Sequence, residues 1–453
     1  MKEKTLDLTT GSILGKLLRF SLPIILGNLL QELYTIVDTL IVGQVLGVEK
    51  LAAVGAAGSP HFLATGFLMG MATGCAVITA QVFGRGDERE VKRSVAAHVA
   101  ILSSLTGVFT VAFSFGAGPL LQLMNIAPEL MEDTLAYLRI LYLGIPAVAL
   151  YNLLASSLRA VGDSKTPLFL LVGSSVLNIC LDLLFIIVFH WGVVGAAIAT
   201  VLAQLVSGLL CLLYVLRKMP LLIPDRQSWR NLRSLILSEM KVGVPVGTQY
   251  TVISLGLVVL QGVLNGFGAT AVAAYTVGGR IIGLCQNPFV SMGTAMSTFV
   301  GQNIGAGKQD RIRQGIRQCM AFTVAFGIVT GLAVWLLARP ITFIFVSPGE
   351  EEVFRYVKEY LAFGCPLLWT LAVLFTFRGS LQGMGDGLVP MLGGITELIM
   401  RTVIPIAFQS VLGYAAVCVA GPAAWAACAL LMACVYLARI HRINRKTRER
   451  VTA

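Results

Sequence analysis

Apolar runs of about twenty residues or more recur from one end of this chain to the other, and each is long enough to cross a hydrocarbon layer of about 30 Å as a helix. In order they fall at 17–43, 51–81, 94–118, 135–158, 166–190, 193–217, 240–265, 272–301, 318–339, 357–381, 388–413 and 416–440. A bilayer interior leaves no water for unpaired backbone groups, so each run has to be helical. An outer-membrane barrel would alternate polar and apolar residues instead of running continuously apolar. The expectation is an all-α integral membrane protein of about twelve transmembrane helices. Only 13% of the 453 residues are charged, about half of the roughly 25% usual in soluble chains. That excludes a soluble enzyme, a nucleic-acid-binding module and a disordered scaffold.

The net charge of +11 looks like a nucleic-acid signal until the positions are read. With the N-terminus in the cytosol, 27 of the 34 Lys and Arg residues fall on the cytosolic side, Arg378 counted among them. Four (Lys50, Arg339, Arg355 and Lys358) fall outside, and Arg139, Arg280 and Arg401 lie within or at the edge of spans. This bias predicts a multi-pass protein of the cell (plasma) membrane with both termini cytosolic. It also accounts for the basic charge without nucleic acid. The first apolar run continues past the length of a signal h-region and lacks a cleavage site, so it is expected to stay as a span.

The chain repeats itself. Gln81, Gly84 and Gly86 match Gln302, Gly305 and Gly307 at an offset of 221; Pro23 matches Pro245 at 222. Ser157, Leu158, Gly162, Asp163 and Pro167 match Ser380, Leu381, Gly385, Asp386 and Pro390 at 223. Six spans per half is an even number, so the two halves enter the membrane in the same orientation, as parallel repeats. The predicted organisation is an N-terminal six-helix lobe at 1–217, a cytosolic linker at 218–240, and a C-terminal six-helix lobe at 241–453 ending in a basic cytosolic tail. In the linker, Trp229, Leu232, Leu235 and Ile236 share an apolar face with Arg226, Arg230 and Arg233 towards headgroups. Two readings stand there, an interfacial amphipathic helix and an ordinary connection.

An ionised side chain at mid-bilayer costs about 2.5–3.5 kcal/mol. The spans nevertheless keep Glu32, Asp38, Asp182, Arg280, Glu397 and Arg401. In span one, Gln31, Thr35 and Asp38 share a face, with Asn28, Glu32, Tyr34 and Thr39 around the cylinder. In span five, Asn178 and Asp182 are one helical turn apart. The first lobe thus holds acids without an intramembrane base to match. Acids so placed take a proton, or two together hold a cation such as Na+; the competing reading is polar glue between helices. In span eleven Glu397 and Arg401 stand i,i+4 and neutralise one another, with gating or substrate contact as the alternative. Gln249, Gln261 and Arg280 are further candidates for a wet cavity, and Pro23 for a bend in span one.

No ATPase loop, Ser-His-Asp set or HExxH motif occurs. The glycines at 84–86 and 305–307 lack the Lys-Ser/Thr of a phosphate-binding loop. An enzyme is not expected, no cofactor is implied, and energy has to come from an ion gradient.

Several segments resemble a known family: VDTLIVGQVLG (37–47), LRAVGDSKTP (158–167), LNICLDLLF (177–185), GVVGAAIAT (192–200), VGQNIGAGK (300–308) and LQGMGDGLVP (381–390). They are similar to multidrug and toxic compound extrusion (MATE) transporters. The resemblance implies two pseudo-symmetric six-helix bundles in a V around a central cavity, and export of organic, often cationic, compounds in exchange for H+ or Na+. It places the family's span-one acid on Asp38, its kinking proline on Pro23, and its span-five Asn and Asp on Asn178 and Asp182, the N-lobe cation site. The chain departs from the branch that needs a span-seven acid, offering only Gln249 there, which favours coupling in the N-lobe. Expected partners are small organic substrates and membrane lipids, with the chain a monomer. The alternative is a lipid-linked oligosaccharide or lipid flippase of the related superfamily, which would favour a groove lined with bases.

Overall fold

The computed structural model describes residues 6–124, 126–346 and 350–452, with side chains through Arg439. The basic side chains Arg442, Arg445, Lys446, Arg448 and Arg450, together with Lys2 and Lys4, lie outside the described residues. Every regular element among the described residues is helical.

The first half carries α1 (Ile13–Leu46), α2 (Val48–Arg85), α3 (Glu88–Leu123), α4 (Pro128–Leu143), α5 (Ile145–Ala160), α6 (Lys165–Asp182) and α7 (Gly192–Lys218). The second carries α8 (Arg233–Asn265), α9 (Ala269–Gly305), α10 (Gln309–Leu336), the short α11 (Ala338–Thr342), α12 (Glu351–Gly364), α13 (Leu368–Gly383), α14 (Leu388–Leu412) and α15 (Tyr414–Thr452). Each predicted span has its helix. The fourth is broken into α4 and α5 by a 44° bend at Gly144, and the tenth into α12 and α13 by a 3₁₀ turn at Cys365–Leu367. α9 is long enough at 37 residues, but Arg280, Gln286 and Asn287 make it less apolar than the others.

Contacts divide the chain into two compact units. The first comprises Met1–Gly11, Arg19–Thr251 and Gly301–Lys308; the second comprises Ser12–Leu18, Val252–Val300 and Gln309–Ala453. The core of the first is built by Leu68, Met71, Leu102, Leu138, Tyr142 and Ile145, and that of the second by Leu264, Phe289, Leu361, Leu368, Leu371 and Met432. The outward faces are apolar as well. On α3, Val108, Val111 and Phe115 form a stripe at helical spacing and are exposed by 62%, 58% and 82%. Water would penalise such a stripe, whereas hydrocarbon requires it.

The sequence repeat has a geometric counterpart. Gly162 and Gly385 have φ of 94° and 83°, and Gly86 and Gly307 of 78° and 70°, the left-handed region that only glycine enters at no steric cost. Asp163 accepts from the amides of Lys165 and Thr166 at 3.1 and 3.0 Å. Asp386 accepts from those of Leu388 and Val389 at 3.0 and 3.2 Å. The repeated Gly-Asp pair is therefore a turn followed by a helix-start carboxylate. In the first unit the two copies of the other motif meet reciprocally. A Cβ on Gly84 would stand 1.9 Å from the Gln302 carbonyl oxygen, and one on Gly305 would stand 1.8 Å from that of Gln81. The Gln302 side chain ties this junction down, accepting from the Leu8 amide at 3.2 Å and donating to the Ala160 carbonyl at 2.8 Å. Since the obstacle is backbone, Gly84→Ala is expected to lower stability by at least the roughly 1–3 kcal/mol of ordinary overpacking. An unchanged thermal unfolding midpoint in detergent would show that the crossing yields.

Two expectations need correction. Residues 218–232 form no interfacial helix: a 3₁₀ turn spans Pro220–Leu222, turns follow, and α8 begins only at Arg233. The cause is local. The Asp225 carboxylate accepts from the Gln227 amide at 3.0 Å, the Ser228 amide at 2.9 Å and the Ser228 hydroxyl at 2.8 Å. Asn231 takes a φ of 54°. Such carboxylate–amide turns compete with helix. The Ser228 hydroxyl, first among these contacts, holds the Asp225 carboxyl below the usual carboxylate range. The other correction concerns Arg378, which is no cytosolic loop residue: it is 7% exposed within α13.

Candidate functional site

Four helices of the first unit converge on Asp38 and Asp182. Tyr34 and Asp38 lie one turn apart on α1, Asn178 and Asp182 one turn apart on α6, and spacing of four places each pair on one stripe. The carboxyls of Asp38 and Asp182 lie against each other within hydrogen-bonding reach. Asp182 is 0% and Asn178 2% exposed; Asp38 is half-buried with Oδ1 enclosed. Tyr34 stands beside both acids. From α4, the buried Tyr137 faces the same two carboxyls, next to Tyr34 and to Thr200 of α7. A small cavity lined by Tyr34, Ser174, Asn178, Thr200 and Gln204 opens alongside.

Among the described residues no ion pair includes Asp38 or Asp182. Among the described residues, and beyond what the two acids offer each other, no partner reaches either Asp182 oxygen, Asp38 Oδ1 or the Asn178 amide. A lone buried carboxylate is costly and two in contact more so, so the two are not readily ionised together.

The backbone after Asp182 is irregular. α6 ends there and a π turn runs over Leu183–Val188, closed by the Phe189 amide on the Leu184 carbonyl at 3.0 Å. π turns widen a helix by one residue and are frequent at functional sites. No residue in the sequence announces this one. Tyr137 and Thr200 were also invisible as site residues: neither belongs to a motif or a spacing shared with the acids, and packing aims each of them there.

The other candidates are placed variously. Thr35 and Thr39 are exposed, and their hydroxyls return to the Gln31 and Thr35 carbonyls at 2.9 and 2.7 Å. Asn28 and Gln31 are half-buried and Glu32 is exposed; Asn28 and Glu32 are both engaged by partners. Pro23 is buried inside α1, which continues through it. Gln249 is buried on α8, Gln261 donates to Asn265 Oδ1 at 2.8 Å, and Arg280 is exposed on α9 and engaged.

The second unit holds a different polar cluster. Glu397 accepts from Arg378 through Oε1, and Arg401 Nη2 lies 3.5 Å from Oε2. All three residues are buried, and the Cys428 sulfur sits 3.4 Å from Arg378 Nη2. The expected Glu397–Arg401 pair is present, but the closer partner is Arg378. Two guanidiniums share one carboxylate, so the ionised cluster carries one positive charge. The two clusters differ in polarity, since among the described residues two guanidiniums pair with Glu397 and none pairs with Asp38 or Asp182.

Comparison with known proteins places the chain in a family. The MatE family model matches the chain twice, over residues 23–184 and 245–406, an offset of 222 that coincides with the internal repeat. The probable multidrug resistance protein YpnP of Bacillus subtilis (strain 168) is 31% identical over 415 residues, covering 90% of this chain and 92% of that protein. The probable multidrug resistance protein NorM of Thermotoga maritima is 27% identical over 412 residues, covering 87% of this chain and 85% of that one. Among solved folds, the crystal structure of MATE in complex with MaL6 superposes with a TM-score of 0.91 at 23% identity, covering 98% of this chain and 100% of that chain. Two family matches, one in each half of a chain whose helices fold as in a solved MATE structure, place it among transporters and not enzymes: the chain belongs to the multidrug and toxic compound extrusion (MATE) family.

Proposed function

We propose that the chain is a secondary active antiporter that exports organic, often cationic, compounds in exchange for H+ or Na+, coupled through Asp38 and Asp182 with Asn178 beside them. The observation that supports this reading most is the contact of two carboxyls with no base between them. The names of its relatives as multidrug resistance proteins support the substrate class. In this reading the lobes at 1–217 and 241–453 work as two bundles joined by 218–240. The protein acts as a monomer in the plasma membrane with both ends cytosolic and lipid against its apolar faces.

The mechanism follows from charge. With the pair short of one positive charge, the site attracts either the coupling ion or a cationic substrate, not both. A proton or Na+ arriving from outside neutralises the pair, Tyr34 and Asp38 repack on α1 with Pro23 as the point of bending, and substrate affinity falls. Departure of the ion towards the cytosol restores the charge for the next substrate. Exchange of one ion for one singly charged substrate moves no net charge, so the ion's own concentration ratio drives export, about 1.4 kcal/mol for each tenfold ratio.

Dye efflux from proteoliposomes tests this reading, first under a pH gradient and then with a Na+ gradient alone. Efflux that follows one of the two gradients is the expected outcome and identifies the ion. Dye movement indifferent to both, or movement of a labelled lipid in place of the dye, would overturn it in favour of a flippase.

A further inference from the structure

We propose that Glu239 is a second proton-binding site, near the cytosolic end of the first unit and separate from the Asp38–Asp182 pair. It holds its proton while the start of α8 packs on α2 and α3, and releases it when that packing opens.

Glu239 lies on the second turn of α8 and is 0% exposed. Its Oε1 accepts from the Ser94 hydroxyl of α3 at 2.7 Å, and that hydroxyl lies 2.9 Å from the Thr79 hydroxyl of α2. The Cys75 thiol, one turn before Thr79, lies against the same carboxyl. Oε2 is buried and meets no donor among the described residues.

The charges nearby are committed elsewhere. On α3, Lys92 faces Asp225 at 3.7 Å, and Arg93 bonds Glu90 and the Asn231 carbonyl. His98, the next turn of α3, is buried with Nδ1 3.4 Å from the Ser157 hydroxyl. On α8 itself, Arg233 and Lys241 are exposed. No ion pair among the described residues includes Glu239, leaving only neutral hydroxyls and a thiol around it. An ionised carboxylate is not retained in such surroundings; the group takes a proton instead. One carboxyl, two hydroxyls and a thiol supply too few oxygens to replace the hydration of a metal ion, so the ligand is H+.

The seal over the site is tight. A Cβ on Gly74 would stand 2.6 Å from the Gly243 Cα, and Val77, Val242 and Val246 close the same contact between α2 and α8. In this proposal water reaches Glu239 when α8 lifts from that contact. The two acid sites are also far apart. Asp38 lies eight residues before the end of α1, and Cys75 lies 27 residues beyond the start of α2; at 1.5 Å per residue the heights differ by roughly 30 Å. The two sites are thus separate in space, and the proposal does not depend on the pair being the coupling site.

Infrared spectroscopy of the protein in lipid nanodiscs reads the proton directly. The expected spectrum at neutral pH contains the carbonyl stretch of a neutral carboxylic acid that Glu239→Gln removes, Ser94→Ala shifts, and Asp38→Asn leaves in place. If Glu239→Gln does not fold, the Ser94→Ala shift carries the test. A carbonyl region unchanged by the Glu239 and Ser94 substitutions, or loss of a carboxylate band in its place, would overturn the proposal. In reconstituted vesicles placed in D2O, the same band is expected to exchange many-fold faster during turnover than at rest. Equal exchange rates would refute release by opening.

Discussion

Asp38→Asn is expected to abolish efflux while the protein still folds and inserts. The substitution keeps the size of the side chain and removes the charge that the coupling ion and substrate compete for. Accumulation driven by the ion gradient, about tenfold for each tenfold ratio of the ion, falls to simple equilibration. Asp182→Asn is expected to do the same, because its carboxyl lies against that of Asp38. The double variant should be no worse than either single one, as groups that act as a unit lose their function together. Dye accumulation in inverted vesicles, normalised to protein in the membrane, reads all three. Normal efflux from Asp38→Asn would remove the pair from the mechanism.

Glu397→Ala is expected to be the most destabilising single change in the second unit. It leaves Arg378 and Arg401 buried without the carboxylate they share. Breaking a buried pair from one side costs about 3–5 kcal/mol because a charge is stranded. Here two guanidiniums lose it, and Arg378 keeps the Cys428 sulfur and the ring of Phe375 among its other contacts. Thermal unfolding in detergent should show a lowered midpoint and a lower yield from the membrane. Replacing Arg378, Glu397 and Arg401 together by apolar residues of similar volume should recover most of the loss, since neutral packing matches a buried ionic cluster in stability. A midpoint unmoved by Glu397→Ala would mean the cluster is solvated in the membrane.

Much of this was legible because the bilayer leaves the chain few choices. Long apolar runs dictated helices, and the repeated motifs that marked a duplication prove to be a Gly-Asp turn in each half and one Gln–Gly crossing within the first unit. Asp38 and Asp182 stood out because charge is rare in such runs, and spacing of four paired Asn178 with Asp182. What escaped depends on packing between distant segments. Glu239 reads as part of a polar linker, yet the glycines of α2 and α8 draw it into the interior. Arg378 reads as a positive residue at the cytosolic end of a span, yet Glu397 on α14 compensates it. Tyr137, Thr200 and the π turn after Asp182 carry no local signature. The linker helix failed for a local reason, the capture of backbone amides by Asp225.

The claim on which the account turns is that the Asp38–Asp182 pair binds one cation and surrenders it to substrate. Adding a cationic substrate to purified protein and counting the cation set free tests this most directly, with a pH dye in weak buffer and, in parallel, with labelled sodium. The account predicts about one ion per substrate bound in the native protein and none from Asp38→Asn, in keeping with two contacting carboxyls sharing a single charge. An undiminished release from Asp38→Asn would contradict it.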